Sequence, residues 1–195
     1  MSNHLSSIMV VGSAQDGGYP QIGCHDDCCE RARQNPKGNR YPTSLALLQK
    51  DIFYLIDCTP AFSQQLQLIK DKRGFTMENC GGIFLTHAHY GHYTGLPLLG
   101  LEVMHEKGIP VFVMPQMEIF LRNNAPFSQL IELGNIHIHR LIHDTLLKLG
   151  EFTVTPILVQ HRNEFTETVG FSFQGKMKKL LYLTKTSSRG FSLPS

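Results

Sequence analysis

The sequence predicts a layered α/β protein built around a sandwich of two sheets. Two observations lead there. Strand and helix patterns alternate up to Asn135, after which strand patterns run alone, an order that suits helices on a mixed sheet followed by an antiparallel one. The chain is also long enough for a substantial core, with 195 residues, 42% of them apolar and 17% charged.

The elements follow in order. Residues 7–11 form a short apolar run ended by Gly12, read as a buried strand. A loop rich in Gly, Pro and small polar residues runs to Gly23, and residues 28–34 suit a short helix that stops before Pro36. Residues 44–49 and 52–56 read as two strands joined at Lys50 and Asp51. Residues 60–72 keep a helical period through Phe62, Leu66 and Ile69, with Pro60 in the first turn. Residues 81–85 form a compact apolar strand. A helix is expected over 96–107, closed by Gly108, then a strand over 110–114 and a helix over 117–123. Residues 136–141, 152–159, 169–173 and 180–183 read as strands. We expect one domain over 1–183 and an irregular, Ser-rich tail over 184–195.

Ten histidines are an excess, and three of them stand within six residues directly after the strand 81–85. A metal site needs several ligands converging on a point about 2 Å from each. A strand roots the loop, the spacing of His87, His89 and His92 lets their rings turn to one centre, and small Ala88 and Gly91 let the backbone fold tightly. That pattern points to a metal ion.

The segment Leu85-Thr86-His87-Ala88-His89-Tyr90-Gly91-His92-Tyr93-Thr94-Gly95 resembles the signature loop of the metallo-β-lactamase superfamily, H-x-H-x-D-H followed by glycine. Asp57, at the end of Leu55-Ile56-Asp57, resembles the family's strand-ending aspartate, and Val159-Gln160-His161 its later lone histidine. The segment from Gly12 through Asp16 to Gln21, with Cys24, resembles one branch, which contains the B protein of pyrroloquinoline quinone synthesis. The resemblance implies an αββα sandwich, here with its second half incomplete. It implies that His87, His89 and His161 bind a first metal ion, that His92 belongs to a second-metal position, and that Asp57 orients a ligand histidine. It implies a metal-dependent hydrolase in which hydroxide on the metal attacks an ester or phosphodiester-like small molecule. An iron-dependent, oxygen-activating role in quinone-cofactor synthesis is the alternative, and a non-catalytic shortened remnant the third reading. The ion is Zn²⁺, or Fe²⁺ or Mn²⁺.

The motif is broken in places. Gly91 stands where the family has an aspartate, and after His161 the chain contains neither histidine nor aspartate. One three-histidine site with an open position is still available, and His92 could be a fourth ligand or a proton-transfer group. Asp16, in the glycine-rich loop, is a candidate acid, base or orienting group, or a turn residue. Cys24, Cys28 and Cys29 form a candidate structural Zn²⁺ site, with His25 as a substitute fourth ligand, set against reduced surface thiols with no metal. Cys58 and Cys80 read as small core residues.

An odd count of five cysteines argues against a disulfide framework, and the first residues lack a basic leader. The expectation is a cytoplasmic protein. Net charge +2 without a basic run calls for no nucleic-acid partner, and no stretch is long enough to span a membrane. A homodimer is compatible with this composition.

Overall fold

Strands β1 (Ser7–Gly12), β2 (Ser44–Leu48), β3 (Phe53–Ile56), β4 (Cys80–Phe84), β5 (Ile109–Val113) and β6 (Ile136–Arg140) make one sheet in sequence order. The computed structural model describes residues 6–184. The pairs β1–β2 and β2–β3 are antiparallel, and from β3 to β6 every pair is parallel. Parallel neighbours need crossovers. Helix α2 (Phe62–Arg73) joins β3 to β4, helix α3 (Tyr90–Tyr93) and a 3₁₀ turn at Leu96–Leu99 join β4 to β5, and α4 (Pro115–Asn123) and α5 (Phe127–Glu132) join β5 to β6. Helix α1 (Asp27–Gln34) lies in the long β1–β2 connection.

The second sheet is antiparallel, in the order β10 (Lys179–Tyr182), β9 (Val169–Gln174), β8 (Phe152–Leu158), β7 (Leu147–Leu149). Side-chain alternation along the first sheet sorts two cores. Ala46, Leu48, Leu55, Ile83 and Val111 face the helices, against Phe62, Ile69, Leu96, Met117 and Leu121. Leu45, Leu47, Ile56, Phe84 and Phe112 face the second sheet, against Phe152, Val154, Val169 and Phe171. All five residues of β2 are buried for this reason. The centre of the sandwich is aromatic. Phe84 stacks on Phe112 with centroids 4.4 Å apart and meets Phe171 edge-on at 5.4 Å.

This is the expected sandwich. Its helix layer covers the first sheet, and among the described residues no helix follows β6. The tail beyond Thr184 lies outside the described residues. One element differs from expectation. Residues 96–107 are not a helix: after the 3₁₀ turn, Gly100 adopts an extended conformation (ψ 177°), and the chain closes through His105 N–H to the Gly100 carbonyl. Leu101 and Val103 in this segment are exposed and pack on no core. Short α5 and β7 were not anticipated. No described helix is long and apolar enough to cross a membrane.

Candidate metal centre

The histidine loop leaves β4 at the edge between the two sheets and is tied down on both sides. Asp57 N–H donates to the Phe84 carbonyl, Cys58 N–H to the His92 carbonyl, and Val169 N–H to the Thr86 carbonyl. Ala88 N–H donates to Thr166 Oγ1 at 3.0 Å. A loop whose backbone groups are satisfied by both sheets holds its side chains in fixed directions.

On this frame His87, His89 and His161 converge. One nitrogen of each lies within 4.8 Å of the others. The ring centroids of His87 and His89 are 4.5 Å apart, and His161 lies 5.1 Å and 5.0 Å from them. His89 Nδ1 and His161 Nε2 are 3.2 Å apart. His161 reaches this point from the loop after β8, as expected. His92 is close, its centroid 4.2 Å from His87, but its nitrogens are not part of the converging set.

The hydrogen bonds choose which nitrogen each ring presents. Thr86 Oγ1 donates to the Asp57 carboxylate at 2.9 Å, so its lone pairs are free to accept from His87 Nδ1–H, also at 2.9 Å. That leaves His87 Nε2 for a ligand. His89 Nε2 lies 3.1 Å from Glu164 Oε2, which leaves Nδ1 facing the centre. Such outer partners fix ring orientation and tautomer. Burial pushes His87 down to about 2, helped by the neighbouring His92, His89 and His161, so this imidazole is neutral. His161 is also lowered, by burial and by His89. Convergent imidazoles are a donor set that zinc and iron sites use, so these residues fit the ion that the loop motif implies.

Asp57 is wholly buried at the end of β3, in a left-handed backbone conformation (φ 65°). It accepts from Thr86 N–H at 2.8 Å and from His92 Nδ1 at 2.7 Å, and Tyr182 OH lies 3.4 Å away. Burial disfavours a charged His92, but Asp57 and Asp16 outweigh it and raise that ring to about 10. Asp16 Oδ1 is 3.5 Å from His92 Nε2. The contact with His92, opposed by partial burial and aided by Gly91 N–H, holds the Asp16 carboxyl down at about 2. Asp16 thus lies at the site. A cavity of about 550 Å³ opens over the cluster, walled by Asp16, Thr43, His92, Arg162 and Thr184.

The cysteines do not gather in this way. Asp27 opens α1, so adjacent Cys28 and Cys29 project about 100° apart around the helix. Cys29 is buried beside Cys24, Cys28 is exposed, and His25 pairs with Glu30 at 3.3 Å. The three thiols expected at one zinc ion do not converge among the described residues. Cys58 and Cys80 are core thiols, as expected, both raised chiefly by burial, Cys80 to about 12. Brief iodoacetamide treatment of the native protein, followed by peptide mass spectrometry, should modify Cys28 within minutes and Cys58 only after unfolding. Rapid native labelling of Cys58 would contradict the packing.

A family model for the beta-lactamase superfamily domain matches residues 53–188, most of the chain and the whole histidine loop. The chain belongs to the metallo-β-lactamase superfamily. The zinc-bound PqqB of Methylobacterium extorquens superposes with a TM-score of 0.75 at 19% identity, covering 89% of this chain and 63% of that one. Coenzyme PQQ synthesis protein B of Klebsiella pneumoniae is 28% identical over 153 residues, 75% of this chain and 47% of that protein. A ribonuclease Z of Porphyromonas gingivalis is 27% identical over 170 residues, 82% of this chain and 52% of its own length. The superfamily is therefore the expected one, and the resemblance to the PQQ synthesis B branch holds. The chain spans about half the length of these two curated relatives.

Sequence reasoning missed Thr86, Glu164, Thr166 and Tyr182. Thr86 was within reach, because it stands between a strand-ending residue and the first ligand of the loop. Glu164 and Thr166 carried no such signal.

Proposed function

We propose that this chain is a metal-dependent hydrolase acting on a small phosphodiester-like or ester substrate. The observation that carries the reading is the convergence of His87, His89 and His161 at the floor of an open cavity. A divalent ion held by three neutral imidazoles supplies Lewis acidity and a water made acidic enough to act near neutral pH. Zn²⁺ is the proposed ion, and the same donors accept Fe²⁺ or Mn²⁺. The residues of the chain do the rest. Thr86 and Glu164 fix the rings of His87 and His89, and Arg162 at the cavity rim offers a guanidinium to an anionic group. The similarity to a ribonuclease Z supports a phosphodiester over a carboxylic ester.

The test is hydrolysis of bis(p-nitrophenyl) phosphate by protein stripped with chelator and reloaded with Zn²⁺ or Mn²⁺. Turnover should appear on reloading and vanish in His89→Ala. A reloaded wild type without turnover, or a His89→Ala variant with undiminished turnover, would sink the proposal.

A further inference from the structure

The loop after β8 carries more than a candidate ligand. His161 is followed at once by Arg162 on the cavity rim, and three residues later by Phe165. Phe165 is 62% exposed, yet its ring has a fixed place. Both chain neighbours are tied to the histidine loop. Glu164 Oε2 lies 3.1 Å from His89 Nε2, and Thr166 Oγ1 accepts from Ala88 N–H at 3.0 Å. The Phe165 ring stands edge-on to His89, with centroids 6.5 Å apart and planes at 84°, and leans on Phe120 of α4 at 6.2 Å. A ring held in this way has little freedom left to lose when a ligand covers it, so contact on its open surface goes into affinity. His89 belongs to the cavity wall and Phe165 packs on it, so the ring stands at the mouth, a short linkage away from a phosphate at the three-histidine position. One loop thus offers a guanidinium to an anion and an aromatic face to the group that the anion carries.

We propose that Phe165 is a specificity-determining residue: the substrate's phosphate carries a planar aromatic group, an aryl ring or a nucleobase, which stacks on Phe165 while the phosphate sits at the three-histidine position. The inference deepens the hydrolase reading and rests on it for where the phosphate binds. Stacking of a base on an aromatic side chain is lost on alanine substitution at a cost equal to about 5- to 150-fold in affinity. Arg162 acts on the charge, which every phosphate ester shares, so the discrimination between esters comes from Phe165.

The test is phosphorus-31 NMR titration of the chelator-stripped full chain reloaded with one equivalent of Zn²⁺. The probes are methyl phosphate, phenyl phosphate and thymidine 5′-monophosphate, product analogues whose binding is read without turnover. The wild type should bind phenyl phosphate at least about 10-fold more tightly than methyl phosphate. Phe165→Ala should bring the two within about 2-fold by weakening phenyl phosphate, and Phe165→Tyr should restore the preference. The exposed ring leaves the core, so Phe165→Ala should melt with the wild type. Thymidine monophosphate binding more tightly than phenyl phosphate marks a nucleobase as the stacked group, and the reverse order marks a smaller aryl ring. Equal binding of phenyl and methyl phosphate by the wild type overturns the inference, as does a preference unchanged in Phe165→Ala. If methyl phosphate still binds the loaded wild type and not His89→Ala, the hydrolase reading stands and this one alone falls. If none of the three binds the loaded wild type, both fall.

Discussion

His161→Ala should weaken divalent-metal binding by more than about 100-fold and take phosphodiester turnover down with it. The magnitude follows from a comparison: removing a group that merely orients a ligand already costs about 10–100-fold in affinity or activity. His161 does more, because it brings the third nitrogen to a point that His87 and His89 approach from the other side. Without it the ion keeps two donors from one loop, a set that cannot enclose it. The fold should hardly notice. His161 is partly exposed, on a loop outside the strands, and among the described residues its side chain bonds only to His89. Its unfolding free energy should therefore stay within about 1 kcal/mol of the wild type. Competition titration against a chromophoric chelator gives the affinity, and urea unfolding of the metal-free forms gives the stability. Wild-type affinity in His161→Ala would mean that the proposed centre is not where the ion binds.

The outline of this site was legible in the sequence, and the reason is local. His87, His89 and His92 sit at a spacing that a single turn can gather, directly after a strand that fixes where the turn begins. His161 and Asp57 were legible through the resemblance of their segments, each a residue at the end of an apolar strand. What stayed hidden is what depends on long-range packing. The partner of His89 is Glu164 and the anchor of Ala88 is Thr166, and both look like ordinary loop residues until β8 and β9 bring them across. The packing of Asp16 against Gly91 could not be seen at all, since the two positions are 75 residues apart and meet only in space. The cysteines show the opposite failure. Their clustering in sequence suggested convergence, but a helix beginning at Asp27 turns neighbouring thiols apart. The expected helix over 96–107 failed for a related reason. Pro97 and Gly100 favour a tight turn and an extended exit, and Leu101 and Val103 find no core to face.

Asp57 is where fold and chemistry are hardest to separate, and paired substitutions should divide them. Asp57→Ala should cost about 3–5 kcal/mol, the range for removing one partner from a buried ionic network. It strands His92 Nδ1–H and Thr86 N–H in a buried pocket, and it leaves alanine in a left-handed conformation that aspartate and asparagine tolerate better. Metal binding should fall as well, through a proton. With no carboxylate to receive it, the Thr86 hydroxyl can turn to donate to His87 Nδ1, which moves the imidazole proton to Nε2 and blocks the lone pair meant for the ion. Asp57→Asn should behave differently. Its amide oxygen still accepts from Thr86 N–H and from the Thr86 hydroxyl, both within 2.9 Å of Oδ1, so the His87 tautomer survives. Its amide nitrogen faces His92 and leaves that ring to be protonated on Nε2, the atom opposite Asp16. The asparagine variant should therefore lose about 1–3 kcal/mol and keep the three-histidine ion within about 10-fold of wild-type affinity. Urea midpoints and Mn²⁺ titrations of both variants check this. Equal loss of metal affinity in the two would show that Asp57 acts on the site through stability alone, and that the Thr86 hydroxyl does not choose the nitrogen His87 presents.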